Sequence, residues 1–266
     1  MKTFRIFKLS KIALIAIIIC INFVGCSPED STETIKGAKK ITKMVISDDY
    51  SKKIIEFNYD KDGKLISHRE IDGITEEIIG TYQYTWSNDR IIMTESDNSE
   101  YGTFIIYDGL LQKLTIGSTY HNYSYNTSNR VIRHKSNFPS DNNIATWDED
   151  KLISSSSSFK DDEWTISNIT YGKSCKKGYF PLMHDLLVDF FNFESNHEEM
   201  IFIAHPEIVG IHTTQLPINY TYTNIFNNNE HKTNYEYEYE FNNAGYISKI
   251  TERDRTYITY YSFTWK

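Results

Sequence analysis

The chain has 266 residues, a formal net charge of −8 and three cysteines. Twenty tyrosines and fifteen phenylalanines against five prolines favour strands, because aromatic side chains fit a half-buried pleated surface. The acidic balance repels phosphate backbones and excludes nucleic acid as a partner.

A leader comes first. Lys2, Arg5, Lys8 and Lys11 precede an apolar run from Ile12 to Ile21, and Val24-Gly25 lead into Cys26. A membrane span needs roughly 20 apolar residues, so the run is too short for one. A charged start, a short apolar middle and a small residue at the cut mark a processed signal. The arrangement resembles the export signal of bacterial lipoproteins. That resemblance implies removal of residues 1–25 and lipidation of Cys26, with the mature chain held at the outer membrane on the cell surface. Several acyl chains anchor stably where one binds marginally. Ser27-Pro28-Glu29-Asp30 is similar to the acidic tag of surface-exported lipoproteins. Losing the leader removes four cations and no acids, which takes the net charge from −8 to −12. The acidic mature surface argues against electrostatic adhesion to anionic lipid, which leaves the anchoring to Cys26. Cys175 becomes the one remaining thiol, so an internal disulfide is excluded.

Residues 26–40 are polar and aperiodic and read as a flexible tether. Residues 41–266 read as a single β domain, a size compatible with one core. Ile54 to Tyr59, Asp60-Lys61-Asp62-Gly63 and Lys64-Leu65-Ile66-Ser67 form the clearest hairpin, with Asp-Gly supplying positive φ. The unit recurs at Tyr82–Trp86 with Arg90-Ile91, Phe104–Tyr107 with Leu114, and Tyr123–Tyr125 with Arg130-Val131. It returns at Ile144–Trp147 with Lys151-Leu152 and at Tyr235–Phe241 with Tyr246-Ile247. One hairpin is marginal alone and must stack on its neighbours. The expected fold is mainly β: an antiparallel meander forming a strongly curved sheet or open barrel, with one short helical insert at about 180–212. In that insert Leu182, Leu186, Leu187 and Phe190 fall at helical spacing behind Pro181, and Pro206 to Gly210 adds a further turn. The serine run 154–158 reads as an edge, a loop or a sparsely packed strand.

Tyr59-Asp60-Lys61-Asp62-Gly63-Lys64-Leu65 resembles the core of the tyrosine–aspartate repeats of bacterial surface shell proteins. The larger layout runs from lipid Cys through hairpin meander and apolar insert to a closing Tyr/Glu hairpin. It is similar to a family of Bacteroidota surface lipoproteins defined by a domain of unknown function with a porin-like fold. The resemblance implies a strongly curved or barrel-like sheet and transfers no catalytic residues.

Several constellations invite chemistry. Tyr235, Tyr237 and Tyr239 alternate with Glu236, Glu238 and Glu240, which puts rings on one face and carboxylates on the other. With Trp86, these tyrosines are the candidate ligand-binding residues, although antiparallel sheets commonly bury their aromatics and wet the other face. The glutamates also have the spacing of a glycosidase pair. His184, His197, His205 and His212 lie among acids but match no metal-ligand spacing. Cys175 stands among Lys173, Lys176 and Lys177, which would lower its pKa, but no nucleophile signature surrounds it. Trp265 resembles the aromatic ending of outer-membrane barrels, while the Glu, Asn and Thr density argues against a lipid-facing band. No enzymatic activity, cofactor or metal is expected. The expected role is a lipid-anchored surface protein that binds a glycan or a surface protein, or serves as structure. The alternative is a carrier that shields an apolar ligand inside the sheet, and a hydrolase ranks last.

Overall fold

The computed structural model describes residues 39–97, 99–137, 142–159, 162–187 and 197–266. The leader, Cys26 and all but the last two tether residues lie outside that set, as does Phe190. The first strands are β1 (Ile41–Ser47), β2 (Lys52–Tyr59), β3 (Leu65–Asp72), β4 (Ile78–Trp86), β5 (Arg90–Glu95) and β6 (Glu100–Tyr107). There follow β7 (Leu110–Ile116), β8 (Thr119–Tyr125), β9 (Val131–Ser136), β10 (Asn142–Asp148), β11 (Lys151–Phe159) and β12 (Asp162–Tyr171). After the insert come β13 (Pro217–Phe226), β14 (Asn229–Phe241), β15 (Ile247–Arg253) and β16 (Ile258–Trp265). Each strand pairs antiparallel with the next, and β16 pairs with β1. The expected meander therefore curves until it closes into a sixteen-stranded barrel. Closure removes the sheet edges that would otherwise recruit other strands.

The barrel has two unlike ends. At the near end β1 begins and β16 finishes, with Lys40 and Lys266 exchanging backbone hydrogen bonds of 2.8 and 2.9 Å. The near-end hairpins repeat one turn chemistry. Asp60 Oδ1 accepts from the N–H of Asp62 and Lys64 (both 2.9 Å), and Gly63 takes φ +77°. Asn126 Oδ1 does the same for Ser128 and Arg130, with Asn129 at φ +59°. Asn242 Oδ1 does so for Ala244 and Tyr246, with Gly245 at φ +88°. An Asx side chain that bonds the backbone two residues on, then a residue tolerant of left-handed φ, is the physical content of the repeat.

Neighbouring strands are locked by the aromatic near the near-end tip of every even-numbered strand except β6, whose Tyr107 is exposed. Tyr59 donates to the carbonyl of Ile41 (2.8 Å), Trp86 to Leu65 (2.7 Å) and Tyr125 to Leu111 (2.6 Å). Trp147 donates to Val131 (2.7 Å), Tyr171 to Leu152 (2.8 Å), Tyr239 to Pro217 and Trp265 to Ile247 (2.6 Å). In each case the acceptor lies at or near the start of the preceding strand. Cations strengthen two locks: Lys64 stands over the Trp86 ring at 5.7 Å and Arg130 over Trp147 at 5.5 Å. Trp265 is thus a buried member of this ring, its indole spent on the backbone.

The 45-residue connection from β12 to β13, residues 172–216, leaves and returns at the near end, and its described residues pack into the interior. Its Tyr179 meets Trp265 of β16, Phe180 meets Tyr237 of β14, and Phe202 meets Phe104 of β6. Ser155 of β11 donates to the carbonyl of Leu186 (2.6 Å). These partners stand all round the ring, so the insert is a plug. Leu182, Leu186 and Leu187 are buried as expected. Among the described residues of the insert, 183–186 form a 3₁₀ turn and Glu199–Ala204 an α-helix, α1. Pro206–Val209 is a second 3₁₀ turn, stopped by Gly210 at φ +63°. A Cβ on Gly210 would lie 1.9 Å from the carbonyl oxygen of Asn129, so only glycine lets the plug touch the 126–130 turn. The serine run is an interior-ring strand, with Ser155 and Ser157 buried against the plug.

Candidate functional site: the polar far mouth

Inward-facing residues change character along the barrel. The near half carries a ring of fully buried aliphatics that includes Ile41, Leu65, Leu111, Val131, Leu152 and Ile247. Toward the far end the same inward phase holds His68, Glu70, His121, His134, Asn143 and Glu252.

One far-half group centres on Glu70. Lys53 lies 2.7 Å from one carboxylate oxygen, and His197 of the plug lies 2.8 Å from the other. His68 Nε2 stands 3.5 Å away, and its Nδ1 accepts from the Tyr84 hydroxyl at 2.9 Å. Tyr82 is sandwiched between His68 (4.7 Å) and His197 (4.5 Å). Burial works to raise the Glu70 carboxyl, but His197, His68 and Lys53 outweigh it and hold it well below the usual carboxylate range. Burial lowers the His68 imidazole against the pull of Glu70. His121 and His134, 2.8 Å apart, are pushed down to about 4 and about 3, first by burial. These groups are paired within the wall and bind plug to barrel.

The second group opens to solvent. Glu252 accepts from the hydroxyls of Tyr220 (2.9 Å) and Tyr261 (3.0 Å). Tyr235 stacks on Tyr220 with centroids 4.8 Å apart. Burial, then the nearby Asp185 charge, raises the Glu252 carboxyl. In the plug His184 Nε2 lies 3.0 Å from Asp185 and 3.9 Å from Glu199. Burial works against a charge on His184, but those two carboxylates outweigh it and raise the imidazole to about 9. Burial raises Glu199 to about 7. Above them Asp48, Tyr235, Glu252, Asp254, Tyr257 and Thr259 enclose a cavity of about 320 Å³. Tyr50 and Tyr257 project from the turns at its rim, 82% and 61% exposed. The mouth thus offers carboxylate acceptors, phenol hydroxyls and open ring faces.

Of the sequence candidates, Tyr235 lines this mouth. Tyr237 is buried against Phe180, and Tyr239 and Trp86 spend their polar atoms on near-end locks. The inward tyrosines therefore form core and mouth rather than an outer platform. Glu236, Glu238 and Glu240 point outward, the last two pairing with Arg253 (3.2 Å) and Lys249 (3.3 Å). The four plug histidines separate. His205 accepts from the Leu65 N–H at 3.1 Å and meets Glu207 at 2.8 Å, while the His212 carbonyl receives Arg130. Among the described residues no group of three or more His, Cys, Asp or Glu is placed to hold a metal. Cys175 is buried, and burial pushes its thiol up to about 12, which reverses the lowering expected from the neighbouring lysines. Sequence reading missed Glu70 and Glu252. The signal was present: each acid occupies the inward phase of its strand, two residues from His68 and Ile250 respectively.

The outer wall is polar. Lys43, Glu56, Asn58, Ser67, Arg69 and Thr81 line a groove of about 1,010 Å³ on it, with Arg69 bound to Glu56 at 2.5 Å. Among the described residues the outward phase holds charges, Ser, Thr and Asn with scattered isoleucines and the aromatics Tyr107, Tyr120, Phe226 and Phe241, not the continuous apolar band of a lipid-facing barrel.

No family model matches the chain, and no curated protein matches it. Two solved structures share the fold. A porin-like protein from Bacteroides uniformis aligns with a TM-score of 0.57 and 11% identity over 86% of this chain and 98% of that one. A porin-like protein from Bacteroides vulgatus aligns with a TM-score of 0.58 and 12% identity over 86% and 99%. The fold is thus that of a porin-like barrel, and at this identity the likeness extends to fold alone.

Proposed function

We propose that this protein is a non-enzymatic barrel displayed at the outer-membrane surface, held there by acyl chains on Cys26, and that its far mouth binds a glycan. The inverted polarity carries the reading: the interior is plugged and the outer wall is polar, so the barrel stands in water and conducts nothing. Stacked tyrosines beside carboxylate acceptors suit a hydroxyl-rich ligand with an apolar ring face. A packed plug where a carrier needs a hollow weighs against the lumenal carrier.

Two measurements test this. The Cys26→Ala variant should leave the membrane fraction without detergent; its retention there would mean that the wall or an uncleaved leader holds it. In an oligosaccharide array, Tyr235→Ala and Tyr257→Ala should each abolish retention of whatever glycan the parent binds. Binding that survives both changes removes the mouth as the site.

A further inference from the structure

The near end holds a second cavity that no part of the preceding reading uses. It has a volume of about 470 Å³ and is walled by Leu216, Ile218, Tyr239 and Phe241, with Lys173 and Lys176 at its edge. Ile218 is 41% exposed and Phe241 46%. Both occupy the rim where the plug enters, and neither is needed to close the core.

The surface around this cavity is basic although the whole chain is acidic. Lys177 stands over the Tyr246 ring at 6.0 Å, and the Tyr246 hydroxyl accepts from the Lys39 N–H at 3.2 Å. Lys40 and Lys266 bond each other through their backbones, and Gly63 beside Lys61 and Lys64 faces the Lys40 side chain. Lys39, Lys61, Lys64, Lys173, Lys176 and Lys177 are all exposed. This sector is continuous from the 173–178 segment across both chain ends to the first near-end turn. The far-end rim is the reverse, with Asp48, Asp72, Asp97 and Asp254 in its turns. Net charge alone argued against contact with anionic lipid, but exposed lysines gather beside this cavity, while the near-end acids stand further off, Asp60 and Asp62 in the first near-end turn and Asp89, Asp108, Asp148 and Glu149 at other near-end turns.

We propose that the apolar cavity takes an acyl chain of an anionic lipid, with Lys173 and Lys176 on its headgroup, so that the near end lies on the bilayer and the mouth faces away. The inference rests on the surface-anchored reading. Twelve residues lie between Cys26 and Lys39, a reach of at most about 45 Å, and the described residues begin at this end. Cations close to an anionic membrane surface are attracted to it, and an inserted apolar group adds to that attraction.

The full chain is mixed with vesicles of phosphatidylcholine alone, or of three parts phosphatidylcholine to one part phosphatidylglycerol, then followed by flotation and amide hydrogen exchange. On the anionic vesicles, segments 173–178 and 241–246 should exchange about tenfold more slowly, with turns 48–51 and 254–257 unchanged. Ile218→Ser with Phe241→Ser, and separately Lys173→Glu with Lys176→Glu, should each remove that protection, and an unchanged melting point shows that the variants fold. Protein that floats with both vesicle types without near-end protection keeps the anchor and overturns the docking. Protein that floats only with anionic vesicles, near end protected, keeps the docking and overturns the anchor. Flotation with neither overturns both, and protection of the far-end turns overturns the orientation.

Discussion

The two ends of this barrel are built from the same strands yet solve opposite problems. At the near end the inward strand positions are mainly aliphatic or aromatic, and the indole and phenol groups of the locks go to neighbouring backbone carbonyls. Nothing is left over for a ligand there except the rim. At the far end inward positions are acids, histidines and tyrosines, and part of their capacity faces water in the mouth. The difference shows how one repeat gives a rigid end and an adaptable one. The near-end turns are tight and internally bonded, and the far end keeps polar groups that a fully packed core would not tolerate without partners.

The comparison can be broken most forcefully at the plug that links the ends. Leu187 is 2% exposed. Leu187→Asp should cost about 4 kcal/mol, because it places an unpaired charge in a core. Thermal melting measures this, and an unchanged midpoint would mean the plug contributes nothing to barrel stability.

Acid and alkali should loosen different contacts of the plug. Glu207 joins His205 of the plug and Lys40 just before β1; burial opposes its charge, but the His205 hydrogen bond and the Lys40 charge outweigh burial and hold it at about 2. Its contribution is complete above its ordinary 4.5 and is lost as pH falls toward 2. His184 is held at about 9, so its contribution is complete below its ordinary 6.5 and is lost as pH rises toward 9. Melting temperature against pH should fall on both sides. Glu207→Gln should flatten the acid limb alone and His184→Gln the alkaline limb alone. Both variants flattening the same limb would contradict the division.

The smallest expected effect sharpens the account of the near end. Trp147→Phe keeps the ring and removes the hydrogen bond to Val131. It should cost about 1 kcal/mol in denaturant unfolding, in the range of a single net hydrogen bond. A cost near zero would show that ring packing, not the bond, joins the hairpins.

Much of the near end was legible in the residues themselves. Asp60 to Gly63, Asn126 to Asn129 and Asn242 to Gly245 declare their turns because φ preference and Asx bonding are local. The inward phase of Tyr235, Tyr237 and Tyr239 follows from period two. Burial of Leu186 and Leu187 follows from their apolar character. In the insert, the helical spacing of Leu182, Leu186 and Leu187 falls on a 3₁₀ turn, and residues 188–190 lie outside the described residues. Apolar spacing there reflects a chain packed on all sides by barrel wall, and short apolar runs do not distinguish the two cases.

The tertiary structure alone decided the rest. Closure depends on β16 reaching β1, a pairing across the whole chain that no local signal encodes. The mouth assembles Asp48, Tyr235, Glu252 and Tyr257 with His184 and Asp185 of the plug, groups brought together only when the ring closes round its insert. The gathering of lysines beside the near-end cavity has the same origin. Lys39 is far from Lys173, Lys176 and Lys177 in sequence, and antiparallel pairing brings the start of β1 and the plug entrance to the same end of the barrel. Local sequence determined the turns and the facing of each strand because those depend on neighbouring dihedral angles and side-chain phase. It could not determine the site or the lysine cluster, because both depend on which distant strands lie side by side.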